Sequence, residues 1–154
     1  MLTLRRGATR TDEFAAAAGT RPVLLATLEV PYDDAAAAFA VDSAVESGQP
    51  LIVVNVVEMP LGPACLMMGY GALEPSDEHE ARLRAPAELA NSLGVHVERL
   101  RVRSPHPVDA LLEVVRERRP GLLVFGPDRS CLRKRKFERA RRRIVDRAPC
   151  LVWA

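Results

Sequence analysis

The residues best equipped for chemistry lie in the last quarter of the chain. Cys131 stands among Arg129, Arg133, Lys134, Arg135 and Lys136. Positive surroundings favour the thiolate over the thiol, so redox reactivity is the chemistry on offer. No histidine is close in sequence to serve as its base, which argues against a nucleophilic enzyme. The basic series continues through Arg139 and Arg141-Arg142-Arg143, and such a series can neutralise the phosphates of a nucleic acid. Phe137 is the one aromatic within it, so base stacking is not expected. The plainer reading is a solvated helix face. The paired carboxylates Asp33-Asp34 precede a helical stretch, where capping explains them. Asp128 could orient a cation, bind Arg129 or cap a turn, and its charge repels phosphate. Cys65, Cys131 and Cys150 are odd in number and far apart, and His79, His96 and His106 are scattered. Neither a disulfide framework nor a zinc site follows from that spacing.

The elements that must position these residues are legible in Gly121–Ala154. Leu122-Leu123-Val124-Phe125 is a short apolar run of the buried-strand kind, stopped by Gly126-Pro127. A polar, Arg-rich loop follows. From about Lys136 to Arg147 the apolar residues Phe137, Ala140, Ile144, Val145 and Ala148 recur at helical spacing. Pro149 ends that helix, and Cys150-Leu151-Val152-Trp153 reads as a second strand. Strand, loop, helix and strand form one βαβ unit, in which the loop leaving the first strand is the place for phosphate. The helix carries basic residues at its own N-terminus, which is unfavourable unless an anion offsets them.

This tail resembles the end of a universal stress protein domain. The family signature is Gly-x2-Gly-x9-Gly-Ser/Thr after the fourth strand, followed by a helix and a segment similar to "HAPCPVLVV". Here the same spacing reads Gly126-Pro127-Asp128-Arg129, nine residues, Arg139-Ala140, and later Ala148-Pro149-Cys150-Leu151-Val152. The first strand similarly matches "ILVPVDGSE", with Leu28 at the family's Asp and Glu29-Val30 at its Gly-Ser. The resemblance implies a flavodoxin- or Rossmann-like α/β three-layer sandwich whose five-stranded parallel sheet has the order 3-2-1-4-5. It also implies a nucleotide- or anion-binding position built from Ala26, Thr27, Leu28, Val56, Gly126, Asp128, Arg129, Arg139, Ala140 and Arg141. Two of the three signature glycines are arginines, Pro127 lacks an N–H, and Ala140 has no hydroxyl. Glycine permits the left-handed backbone and the close approach that a phosphate cradle needs. The expectation is therefore a scaffold without ordinary ATP binding and without another cofactor, in which arginine side chains hold an anion if anything does.

The remaining chain is consistent with that scaffold. Pro22–Leu28 is a first strand, Ala35–Glu46 a helix with Phe39, Val41, Ala44 and Val45 inward, and Leu51–Val57 a second strand in which Asn55 satisfies a local backbone group. Met59–Pro75 is an apolar loop suited to cover something. Ser76 caps a second helix, kinked or broken near Pro86, and Val95–Val102 is an edge strand. Val108–Arg118 is the third helix. Residues 1–20 read as an arm and 21–154 as the domain.

The 154 residues, 48% hydrophobic and 27% charged, suit one globular domain. No apolar run is of membrane-spanning length and no leader-type core is present, so a cytoplasmic location is expected by default; the resemblance implies a non-enzymatic stress or regulatory protein. The family implies a homodimer through the edge strand Cys150–Ala154. Residues 1–98 carry 14 acidic and 6 basic side chains, a balance of −8, whereas 99–154 carry 6 and 16, a balance of +10. That asymmetry leaves an acidic protein, nucleic acid or anion at Arg133–Arg143 as the further partner.

Overall fold

The computed structural model describes residues 20–60 and 76–154. They form β1 (Val23–Leu28), α1 (Asp34–Ser47), β2 (Leu51–Glu58), α2 (Asp77–Ser92), β3 (Val97–Ser104), α3 (Pro107–Arg118), β4 (Leu122–Phe125), α4 (Lys134–Arg147) and β5 (Leu151–Trp153). Residues 1–19 of the arm expected over 1–20, and residues 61–75 of the expected apolar loop, Cys65 among them, lie outside the described residues.

All strand pairings are parallel, in the order β3-β2-β1-β4-β5. The unalternating aliphatic runs of β1 and β2 take the centre because both their faces are covered. Their odd and even residues feed two cores. Leu24, Ala26, Leu28, Val54 and Val56 join α3 and α4 on one face. Val23, Leu25, Leu51 and Val53 join α1 and α2 on the other. The edge strands β3 and β5 are half-exposed.

Local chemistry sets the helix ends. The Ala36 N–H donates to Asp33 Oδ2 at 3.0 Å, and Gly48 closes α1 at φ 66°. Ser76 Oγ caps α2 by accepting from the His79 N–H.

Several expectations are corrected. In α1 the buried side is Ala36, Ala40, Val41 and Ala44, whereas Phe39 and Val45 are exposed. Small residues every fourth position let the helix lie close to the sheet, and larger ones are turned outward. Gly126 requires that closeness, since a Cβ added there would lie 2.1 Å from Ala36 Cβ. Pro86 does not break α2, which runs unbroken from Asp77 to Ser92 with the proline buried. The third strand begins and ends two residues later than its alternation suggested. The last helix starts at Lys134 rather than Lys136, and Val145 faces solvent. Asn55 Oδ1, expected to meet a backbone group, is buried without a hydrogen-bond partner among the described residues.

Candidate functional site

The strand order reverses between β1 and β4, so a crevice is expected where their carboxyl ends diverge. There, β1 leads toward α1 on one face and β4 toward α4 on the other. In this chain the two outgoing loops are joined by main-chain hydrogen bonds. The Asp33 N–H donates to the Gly126 carbonyl at 2.9 Å, and the Asp128 N–H donates to the Pro31 carbonyl at 2.8 Å. Tyr32 and Pro127 form an antiparallel bridge between those bonds.

The donors of the loop after β4 are largely committed within the chain. Gly126 N–H goes to Ala26 O, Asp128 N–H to Pro31 O, and the Cys131 and Leu132 N–H groups to Asp128 O. Ser130 N–H goes to Asp128 Oδ1 at 2.9 Å. Pro127 has no N–H. Among the described residues of this loop, only Arg129 and Arg133, the last residue before α4, have uncommitted main-chain N–H groups. The Asp128 carboxylate also accepts from Ser130 Oγ at 2.6 Å and from Arg82 Nη2 at 2.7 Å. Those bonds, Ser130 first and Arg82 next, hold its pKa down to about 2. The carboxylate thus takes the donors that the loop would otherwise turn toward an external anion. Cys131 lies at its far side, with Sγ 3.7 Å from Asp128 Oδ2.

A second group spans the carboxyl ends of β1 and β2. Lys136, in the first turn of α4, donates to Glu58 Oε2 at 2.7 Å and to Glu29 Oε2 at 3.4 Å. Glu29 Oε1 accepts from the Glu58 N–H, and the Glu29 N–H donates to the Val56 carbonyl at 3.0 Å. Glu29 reaches this position with φ 65°, a left-handed conformation unusual for a residue with a side chain. Burial opposes the Lys136 ammonium, but the Glu58 hydrogen bond and the Glu29 charge outweigh it and raise its pKa.

The family-aligned residues therefore separate. Ala26, Thr27, Leu28 and Val56 are fully buried. Leu28 belongs to the core with Phe125, Leu132 and Phe137, and Thr27 Oγ1 donates to the Val30 carbonyl at 2.8 Å. Gly126, Arg129 and Arg141 line a cleft of about 550 Å³, with Asp33, Glu138 and Trp153 at its other walls. The Arg129 guanidinium lies over the Phe137 ring at 4.8 Å, and Arg141 Nε donates to the Ala154 carbonyl at 3.2 Å. Ala140 is buried under α4, and Arg139 is exposed on its outer side and does not line the cleft. Sequence reasoning missed Glu29, Glu58 and Arg82. The available signal was one acid at the end of each apolar strand, facing a lysine placed against its own helix dipole.

A parallel sheet of order 3-2-1-4-5, covered by helices on both faces and opening at the β1–β4 reversal, defines a flavodoxin-like α/β protein. The profile of the universal stress protein family matches residues 19–154, and the chain belongs to that family. A universal stress protein family structure from Burkholderia pseudomallei aligns at 19% identity and TM-score 0.61, covering 88% of this chain and 96% of that one. The Archaeoglobus fulgidus universal stress protein in complex with dAMP aligns at 18% identity and TM-score 0.54, covering 86% and 94%. A family protein from Arabidopsis thaliana with AMP bound aligns at 18% and 0.54, covering 86% and 89%. No curated protein matches the chain.

Proposed function

We infer that this is a non-enzymatic, regulatory member of its family, acting in stress adaptation as a homodimer without ordinary ATP binding. The observation that carries the reading is the commitment of loop donors. A triphosphate needs converging, unspent N–H groups; among the described residues the loop from Gly126 to Arg133 keeps only those of Arg129 and Arg133, four residues apart. Two further features support it. The ionised Asp128 carboxylate repels phosphate, and Glu29 with Lys136 takes up the Val56 carbonyl and the ends of β1 and β2. Among the described residues no group of His, Cys, Asp or Glu is arranged to hold a metal ion. No described helix is long and apolar enough to cross a membrane.

The solved relatives with AMP and dAMP make the contrary outcome concrete. Mass spectrometry of gently purified protein, followed by titration calorimetry with magnesium ATP, tests the reading. No retained nucleotide and no saturable heat are expected; an adenine nucleotide at one per chain overturns it. A second reading, an anion switch, is favoured by the cleft that brings Arg129 and Arg141 together. It predicts saturable inorganic phosphate binding that Arg129→Ala and Arg141→Ala each weaken, without adenine dependence.

A further inference from the structure

The cations of α4 are sorted by face. Those turned toward the fold have partners. Lys136 bridges Glu29 and Glu58. Arg143 meets Asp109 at 2.6 Å, with Arg147 at 3.9 Å from the same oxygen. Arg141 holds the Ala154 carbonyl. The outward cations form a different set: Arg133, Lys134, Arg135, Arg139 and Arg142 are all exposed, and no ion pair or hydrogen bond engages their side chains among the described residues. Arg135, Arg139 and Arg142 stand at i, i+4 and i+7, so they make one stripe about 10 Å long. Arg133 and Lys134 extend the positive charge past the helix N-terminus. No acidic residue occupies the first turn, and no side chain caps it. The dipole therefore adds to the charge instead of offsetting it.

The orientation of this stripe is fixed. The opposite face supplies Phe137, Ala140 and Ile144 to the core, so the three arginines cannot turn inward without unfolding the helix. Like charges at these spacings repel; Glu138 flanks the row, with its carboxylate 3.9 Å from Arg141, and Asp146 follows one turn on. The chemistry of the face is also restricted. Phe137 is buried and stacked on Phe125 with ring centroids 5.8 Å apart, so no aromatic is available to stack a base. The stripe has no amide to read a base edge. Its one exposed large apolar neighbour on α4 is Val145, with no aromatic beside it of the kind that anchors a protein interface or a lipid surface. What remains is a straight row of guanidinium groups suited to a rigid line of phosphates.

We propose that the outer face of α4 binds the sugar–phosphate backbone of a nucleic acid duplex without sequence preference. Arg135, Arg139 and Arg142 make the central contacts, and Arg133 and Lys134 the flanking ones. This site is independent of the β1–β4 crevice and of whether that crevice holds a nucleotide.

Fluorescence anisotropy of the full chain with a labelled duplex of scrambled sequence, titrated across potassium chloride concentrations, tests it. Each neutralised phosphate contributes about −0.9 to the slope of log affinity against log salt, so three to five contacts give about −2.7 to −4.5. The combined Arg135→Glu, Arg139→Glu and Arg142→Glu variant is expected to lose about tenfold affinity or more at low salt. Arg116→Glu, the same type of substitution at one exposed residue of the last turn of α3, is expected to bind as the parent does. Circular dichroism reports whether the triple variant is folded. Should it fail to fold, Arg139→Ala alone is expected to make the salt slope shallower by about 1. Absence of binding at low salt, a salt-independent affinity, or equal loss in Arg116→Glu overturns the proposal. So does equally tight binding of poly-glutamate, of vesicles containing anionic lipid, or of single strands in preference to the duplex.

Discussion

Gly126 is the one signature glycine this chain keeps, and its environment supplies a reason unrelated to phosphate. A Cβ at that position would lie 2.1 Å from the Ala36 side chain, in the seam between β4 and α1. Gly126→Ala is therefore expected to destabilise by about 1–3 kcal/mol through forced displacement of α1, seen as a lower midpoint in urea unfolding. Asp128 offers a pH-dependent test. Its pKa is depressed to about 2 from an ordinary carboxylate value, so its contribution is full above about pH 4. That contribution fades as pH falls through about 2. Discounted for the partly exposed Arg82 guanidinium, it is about 1 kcal/mol. The stability difference between the parent and Asp128→Asn, followed by denaturant titration, should shrink as the solution is acidified from pH 6 toward 2. A difference that grows instead would contradict the assignment of Arg82 and Ser130 as its partners.

At the scale of elements, the ends of helices and strands bear the strain and the charge. Arg119 closes α3 in the left-handed region at φ 48°, where a side chain costs roughly 1–2 kcal/mol. Arg119→Gly should raise the thermal midpoint by relieving that strain, with the gain partly offset by greater freedom in the unfolded chain. One residue earlier, Arg118 forms a two-pronged pair with Glu98, at 2.9 and 3.0 Å, and is mostly buried. Fork-like guanidinium–carboxylate pairs are stronger than single contacts, and this one ties α3 to the edge strand β3. Arg118→Ala is expected to cost about 1–3 kcal/mol, with hydrogen exchange accelerated first in β3. Uniform acceleration across the sheet would show that the pair does not act locally.

For the whole molecule, the exposed edge is the part that asks for company. β5 pairs with β4 on one side only. Leu151 is 74% exposed, and Trp153 stacks on Phe39 with centroids 5.3 Å apart, both partly exposed. An open edge with apolar side chains is a template for strand pairing, and the proposed twofold partner would cover it in a self-complementary way. Sedimentation at micromolar concentration should give a dimer, and Leu151→Lys should shift it toward monomer without altering the circular dichroism of the fold. A monomeric parent protein would rule the pairing out.

The local sequence fixes those features that depend on periodicity and on backbone chemistry. Unalternating aliphatic runs marked β1 and β2 as strands, Ser76 marked a helix start, and Gly126-Pro127 marked the end of β4. Each of these signals is written within one turn or one strand. The tertiary structure decided the rest, because it brings together residues that the chain holds far apart. Glu29 and Lys136 meet across 107 positions, and Arg82 meets Asp128 across 46. Nor does the periodicity of α1 rank its apolar residues: Gly126 selects the alanines and turns Phe39 outward. The same folding separates Arg129, which lines the cleft, from Arg139, which faces solvent, since Arg129 lies in the loop before α4 and Arg139 on the outer side of the helix itself.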